Sequence, residues 1–337
     1  MEIYKQSGFH LKSDQFHICI DPTSVRSANE ADLILISHSH SDHIRSIQSI
    51  KSLKITSQPT LDVLSVKSKK PIQIDNYKIL DPSNPEKNSI EIDDFLKITA
   101  YPAGHCIGSL QFLIEFENEK FLYTGDFCLE NRLGFDSGNI HEIKDGILII
   151  DPTYCEKEYV FPERKLLYKE IYQWMKNTLS KTNNLFLIGR QLGTCQELTS
   201  LINYSTFKGQ IFAHPAVYKI NEVHSSYSKL GRFEYKKDPF EIKREQGIND
   251  LERFFVDGEN IPKPNGKKKS IFLLPFYYMS KIRELSEIFG RKSIAVFTGW
   301  AVTRNFSVQS FPLTSHAGYN HIAEYYTQSK ARQMYFF

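Results

Sequence analysis

Four potential metal ligands stand within six residues of the segment Ile36-Ser-His38-Ser-His40-Ser-Asp42-His43. His38 and His40, two apart in an extended turn, can reach one ion. Asp42 and His43, further round the loop, can reach a second. Imidazole and carboxylate suit zinc, whose near-tetrahedral catalytic shell keeps one position open for water. A lone His-x-His fits an ordinary surface loop rich in His and Ser. The full H-x-H-x-D-H after an apolar strand is a metal-site pattern.

Two later segments extend the set. In Ala103-Gly-His105-Cys-Ile-Gly-Ser109 the glycines permit tight turns, and His105 offers a third nitrogen to the first ion. In Tyr123-Thr-Gly125-Asp126 the carboxylate can bridge both ions through its two oxygens. Alone, either segment is a common turn; their order after the first motif gives them weight. Candidate substrate-phosphate contacts are Ser109, Arg190 and the pair Gly193-Thr194, where a helix start would leave backbone N–H groups free. An ordinary turn explains Ser109 and Gly193-Thr194 equally well, and both readings stay open.

These residues need strands to hold them. His17–Ile20, Leu33–Ser37, Phe95–Ala100, Leu110–Phe116, Phe121–Thr124 and Ile147–Ile150 have strand-like apolar patterns. The chemical residues follow several of them, in loops at strand ends. After Asp151 the pattern changes. Pro162–Ser180 has helical spacing with Pro162 and Glu163 suited to a helix start. Strand Leu185–Gly189, helix Gln196–Ile202, strand Gln210–His214 and helix Pro215–Leu230 then alternate as in a parallel α/β unit. Residues 231–269 are the most polar stretch, and Lys263–Lys269 is expected to be a solvated loop. Strands return at Ile271–Pro275, Ile294–Gly299 and Phe306–Leu313.

The 337 residues suffice for two domains or for one with a large insertion. No apolar run approaches the ~20 residues that span a bilayer, and the Met-Glu-Ile-Tyr-Lys start is unlike a signal peptide. No membrane and a cytoplasmic location are the expectations. Five cysteines, Cys19, Cys106, Cys128, Cys155 and Cys195, have no paired spacing and are read as small buried hydrophobes. A net charge of +3 neither demands nor forbids nucleic acid, so a phosphate-binding surface would have to be local. His10, His17, His141, His214, His224 and His321 lack partner patterns and are treated as structural or surface residues. Trp300 and the tyrosines are read as core.

In this order the motifs resemble the metallo-β-lactamase superfamily. Ala103–Ser109 more narrowly resembles the A-G-H-x-x-G-S of the β-CASP nucleases, which act on DNA and RNA. Ile20-Asp21-Pro22 and Tyr123–Phe127 are similar to the ligase-associated exonucleases and RNA-processing exonucleases of prokaryotes. Asp151-Pro-Thr-Tyr154 resembles the branch's acidic motif A. Leu192-Gly193-Thr-Cys-Gln196-Glu197-Leu198 resembles the L-G-x-x-Q-E-L of its inserted domain. Gly299-Trp300 and Leu313-Thr-Ser-His316-Ala-Gly-Tyr319 resemble the return and the histidine motif B. Ser315 and Gly318 stand where the family commonly has acidic residues, and Thr194 where it often has Lys or Arg. The family's last metal-binding histidine is expected shortly beyond Gln333–Phe337, and the sequence stops at Phe337. The second ion would then be held by fewer protein ligands, or the sequence ends early.

The resemblance implies an α+β fold: a four-layer αββα metallo-β-lactamase domain from 1–155 and 294–337, with an α/β β-CASP cap over 156–293 inserted. It implies two zinc ions on His38, His40, Asp42, His43, His105 and Asp126, and phosphodiester hydrolysis, with exonuclease action preferred. Asp42 would also help orient the nucleophile. His316, held by Asp151, would protonate the leaving oxygen. Single-stranded or end-frayed nucleic acid is the expected partner, with DNA repair or RNA processing proteins beyond it. Two other readings stay open: a lactam or thioester hydrolase of the same fold, and an inactive binding subunit. The long segment after Asp151 speaks against the first, and the intact early ligands against the second.

Overall fold

The structure is a computed structural model that describes residues 1–44, 51–68, 71–72, 76–205, 207, 209–228 and 269–337. The lysine-rich run at 263–268 and residues 229–230 of the expected helix lie outside these. The chain divides into two compact units: Met1–Asn131, Phe135–Lys157 and Ser315–Phe337 form the first, and Arg132–Gly134 with Glu158–Thr314 the second.

The first unit has two six-stranded sheets. One runs in chain order from Glu2–Lys5 to Tyr77–Ile79. The other has the order Gln333–Phe336, Ile147–Ile150, Glu119–Tyr123, Leu110–Phe116, Leu96–Pro102, Ser89–Asp93. Alternation along the strands sets the layers, because successive side chains point to opposite faces. Ile18, Ile20, Leu33 and Leu35 join Phe121, Tyr123, Ile147 and Ile149 in one core. Their neighbours Cys19, Ile34 and Ile36 pack with Ala28 of helix Val25–Asn29. Leu122, Leu148 and Ile150 pack with Ile322 and Tyr325 of helix Tyr319–Ser329. Helix, sheet, sheet, helix is the αββα layering expected.

The second unit is a five-stranded, all-parallel sheet in the order Gln210–Ala213, Ser270–Pro275, Asn184–Gly189, Ile294–Phe297, Gln309–Phe311. Leu185, Leu187, Ile271 and Leu273 pack against helices Arg164–Leu179, Thr194–Tyr204 and Pro215–Tyr227. Phe186, Ile188, Phe272 and Leu274 pack on the other face with Ile282 and Leu285. A parallel sheet covered on both faces explains the nearly unbroken apolar strands. The expected boundary at Ile294 is corrected here: Ile294 pairs with Phe186 and Ser310 with Val296, so residues 294–314 belong to the second unit. Apolar periodicity marks a strand but not the sheet it joins.

Beneath this sheet lies a buried ionic cluster. Glu197, fully buried, accepts from Arg132 Nη1 at 2.8 Å and Tyr168 Oη at 2.6 Å, and pairs with Arg164 Nη1 at 3.3 Å. Arg164 Nη2 also donates to the Thr314 carbonyl at 2.9 Å. The cysteines are all free, four of them buried and Cys155 partly so. Not every aromatic is core: Tyr277 is 59% exposed, and Trp300 lies half-buried under the Arg304 guanidinium, 4.3 Å from its ring.

Candidate metal centre

All the converging groups belong to the first unit. In one sheet the parallel strands His17–Ile20 and Leu33–Leu35 end at Asp21 and at the Ser37–His43 loop. In the other, Leu96–Pro102 and Glu119–Tyr123 both run antiparallel to Leu110–Phe116, and Ile147–Ile150 runs parallel to Glu119–Tyr123. His105, Asp126 and Asp151 therefore leave the same end of that sheet. Gly104 has φ +73°, and a Cβ there would lie 2.2 Å from Gly138 N and 2.4 Å from the Cys128 carbonyl. Only glycine allows the turn that delivers His105.

His40 Nδ1 lies 2.9 Å from His38 Nε2 and 3.0 Å from His105 Nε2. Asp126 Oδ2 is 3.4 Å from both of those Nε2 atoms, and its Oδ1 is 3.4 Å from His43 Nε2. His316 Nε2 reaches to 3.7 Å of Asp126 Oδ2. Ligand atoms within 4.8 Å of one another form three groups: His38, His40, His105 and Asp126; Asp21, His38 and His43; Asp126, Asp151 and His316.

The outer hydrogen bonds fix which nitrogen faces inward. His105 Nδ1 donates to the Ser315 carbonyl at 3.0 Å. His43 Nδ1 donates to Asp21 Oδ2 at 2.8 Å. Ser37 Oγ spends its proton on Asp21 Oδ2 at 2.5 Å, so toward His38 Nδ1, at 2.9 Å, it must accept. His316 Nδ1 donates to Asp151 Oδ2 at 2.8 Å. Each of these four rings, when neutral, thus presents an Nε2 lone pair toward the Asp126 carboxylate. Lone pairs and carboxylate oxygens packed at these distances are compatible only with positive charge among them. Three imidazoles and a carboxylate match the donor set of a zinc-type ion. Outer partners that orient metal-binding imidazoles are the usual second layer of such sites.

Electrostatics point the same way. Burial pushes His105 well below the usual histidine value, helped by the neighbouring His316. Burial likewise lowers His38, with His43 adding to it. His43 is held well above the usual value: burial opposes this, but the Asp126 and Asp21 carboxylates outweigh it. Asp126 lies well below the carboxylate range, burial being overcome by His43, His316, His38 and His105.

The structure brings together His38, His40, His43, His105, Asp126, Asp151 and His316. Asp42 is placed differently from these seven. The turn closed by His43 N–H on the His40 carbonyl, at 3.1 Å, sends His43 inward and leaves Asp42 exposed. Asp42 is not among the converging groups; its charge acts on the Lys67 ammonium. Ser109 is a turn-former: its Oγ accepts from the His105 and Cys106 N–H groups at 3.1 and 3.2 Å. In the second unit the helix start at Gly193-Thr194 is partly satisfied internally: Gly193 N–H goes to Gln196 Oε1 at 2.7 Å and Cys195 N–H to the Arg190 carbonyl at 3.0 Å. The Arg190 side chain is exposed. His10, His17, His214 and His224 are buried, and His141 and His321 half-buried, away from the cluster.

Residue patterns missed the supports. Asp21 Oδ2 accepts from Ser37, His43 and, at 2.7 Å, Tyr123 Oη, while Oδ1 takes Ser37 N–H at 2.7 Å. Thr153 donates to Asp151 Oδ1 through its N–H at 2.8 Å and its hydroxyl at 2.6 Å, leaving Oδ2 for His316. The sequence signals for Asp21 are a carboxylate ending a buried strand and its place in the Ile20-Asp21-Pro22 resemblance; neither says what it supports.

Residues 11–139 match a Beta-lactamase superfamily domain. The chain is similar to an RNase J-like protein of Methanocaldococcus jannaschii, 28% identical over 193 residues, which are 53% of this chain and 45% of that protein. It is similar to an endoribonuclease of Yarrowia lipolytica, 26% identical over 260 residues, covering 66% of this chain and 31% of that one. A probable DNA ligase of Opitutus terrae is 25% identical over 296 residues, 86% of this chain and 25% of the ligase. The chain spans less than half the length of these relatives.

Proposed function

We propose that this chain, whose residues 11–139 match a Beta-lactamase superfamily domain and which is similar to an RNase J-like protein and an endoribonuclease, is a zinc-dependent nuclease of the β-CASP kind. The reaction is hydrolysis of a phosphodiester in DNA or RNA, with exonuclease action on single-stranded or frayed ends. The observation that carries this is the inward face of three oriented imidazoles, His38, His43 and His105, around Asp126, with His316 and Asp151 beside it.

His38, His40, His105 and Asp126 would hold one ion, and His43 and Asp126, with Asp42 by the sequence pattern, a second. Zinc held there would supply a nucleophilic water near neutral pH and charge stabilisation for the attacking and leaving oxygens. The chain's own residues do the rest. Asp21 and Ser37 hold the His43 and His38 rings. Asp151, itself pinned by Thr153, fixes the His316 ring so that Nε2 can carry a proton to the leaving oxygen. No helix among the described residues is long and apolar enough to cross a membrane. The role would be in DNA repair or RNA processing, in the cytoplasm.

The test is a zinc-loaded assay on matched 5′-labelled single-stranded DNA and RNA. Shortening of at least one polymer is expected, with none from a folded His38→Ala/His40→Ala variant. A protein that holds zinc, cuts neither polymer and instead opens a lactam or thioester would overturn the proposal.

A further inference from the structure

The second unit contains a cavity of about 480 Å³ that the metal chemistry does not use. It lies at the amino-terminal ends of the parallel strands. Lys181 and Thr182 precede Asn184–Gly189, Arg291 and Lys292 precede Ile294–Phe297, and Phe306–Val308 precede Gln309–Phe311. Crevices of parallel sheets ordinarily bind ligands at the carboxyl ends, so this is not the fold's default site. Its volume falls within the roughly 300–1,000 Å³ of small-molecule sites.

The lining has three cations, Lys181, Arg291 and Lys292, and no carboxylate. All three are exposed, and none is in an ion pair among the described residues. Between them lie Trp174 and Phe306, both half-buried. The indole is fixed by an edge contact with Phe311, 5.6 Å between centroids. Cations left without counter-charge around an aromatic floor match one ligand chemistry: a phosphate joined to a planar base. Base–aromatic stacking is worth about 1–3 kcal/mol per base, and Arg and Lys are the usual phosphate donors.

We propose that this cavity binds a nucleotide, its base on Trp174 and Phe306 and its phosphate among Lys181, Arg291 and Lys292. The ligand is either a free nucleotide or an unpaired residue of a nucleic-acid strand; the recognition chemistry is the same. The inference does not depend on the nuclease reading.

The chain has two tryptophans, so Trp300→Phe leaves Trp174 as the only indole reporter. The full chain with that change would be titrated in EDTA with adenosine monophosphate, a short oligothymidylate and inorganic phosphate. Saturable quenching of Trp174 is expected from at least one of the first two. The mononucleotide saturating points to a free nucleotide, and the oligomer alone to a strand. Adding Lys181→Ala, Arg291→Ala and Lys292→Ala should weaken binding at least about tenfold, since charge-assisted contacts are lost. These side chains are exposed, so the variant should fold, which circular dichroism would check. Quenching by neither nucleotide, quenching unchanged in the charge-removed protein, or equal quenching by inorganic phosphate would overturn the proposal. EDTA prevents cleavage, so failure here is separate from failure of the nuclease assay.

Discussion

Asp126 and Glu197 are both buried carboxylates, and the molecule satisfies them in opposite ways. Around Glu197 stand two guanidinium groups and a phenol, all donors. Around Asp126 stand imidazoles whose donor nitrogens are turned outward, to Ser37, Asp21, Ser315 and Asp151. The first cluster carries its own counter-charge, two guanidinium groups to one carboxylate. The second is arranged to receive positive charge. Burial of a carboxylate is therefore not what marks a reactive site; the direction of its neighbours' protons is.

The largest effect should come from the edge of the Asp126 cluster. His316→Ala should lower cleavage of an ordinary phosphodiester by about 10²–10⁴-fold, the usual contribution of a general acid. Bound zinc should stay unchanged, and a nitrophenyl ester, whose leaving group needs no proton, should lose much less. Equal losses on both substrates would make His316 a ligand or a structural residue and redraw the cluster's boundary.

The Glu197 cluster should answer in stability instead. Glu197→Gln leaves Arg132 and Arg164 buried without their counter-charge and should cost about 3–5 kcal/mol in urea unfolding. Zinc content of the folded fraction should not change. A loss of zinc with no loss of stability would reverse the roles assigned to the two carboxylates.

Asp21→Ala tests the outward hydrogen bonds and should weaken metal binding by about 10–100-fold, read by competition with a chelating dye. Unchanged affinity would mean that the orientation of His43 and His38 does not depend on Asp21.

The smallest effect is set by pH. His224 donates from Nε2 to the Gly134 carbonyl at 2.8 Å and is lowered to about 4, by burial first and by Arg132 as well, against the carbonyl's opposing pull. Its folded value lies below the unfolded one. The contribution is thus full above pH 6.5 and falls as pH drops from there toward 4. About 1 kcal/mol of the second unit's stability should be gone by pH 5.5. A His224→Leu protein should lack that slope; an identical slope would place the titrating group elsewhere.

Much of the site was legible because one loop carries His38, His40 and His43, and spacing within a loop survives in sequence. His105 and Asp126 were legible as glycine turns after strands. Asp151 and His316 came through likeness to a family, since nothing in their local sequence links them. Asp21, Tyr123 and Thr153 were not legible as supports: each acts through hydrogen bonds, and a single Asp, Tyr or Thr has no spacing to betray it. The exposure of Asp42 was not legible, because a pattern of residue types does not say which side of a turn faces in. Strands Ile294–Phe297 and Gln309–Phe311 were seen but placed in the wrong unit, since parallel pairing is decided by residues far away in the chain.

Strand Gln333–Phe336 completes the first unit's second sheet by pairing with Ile147–Ile150. Everything from Glu158 to Thr314 belongs to the other unit and is made in between. During synthesis the edge of Ile147–Ile150 therefore waits, open, while a whole α/β unit is translated, and His316 and the Ser315 carbonyl that fixes His105 are made only after it. Domains generally fold as units while the chain is made, so the second unit should be protease-resistant on ribosomes stalled before the first is. The cluster around Asp126 would thus stay incomplete until the second unit has been made.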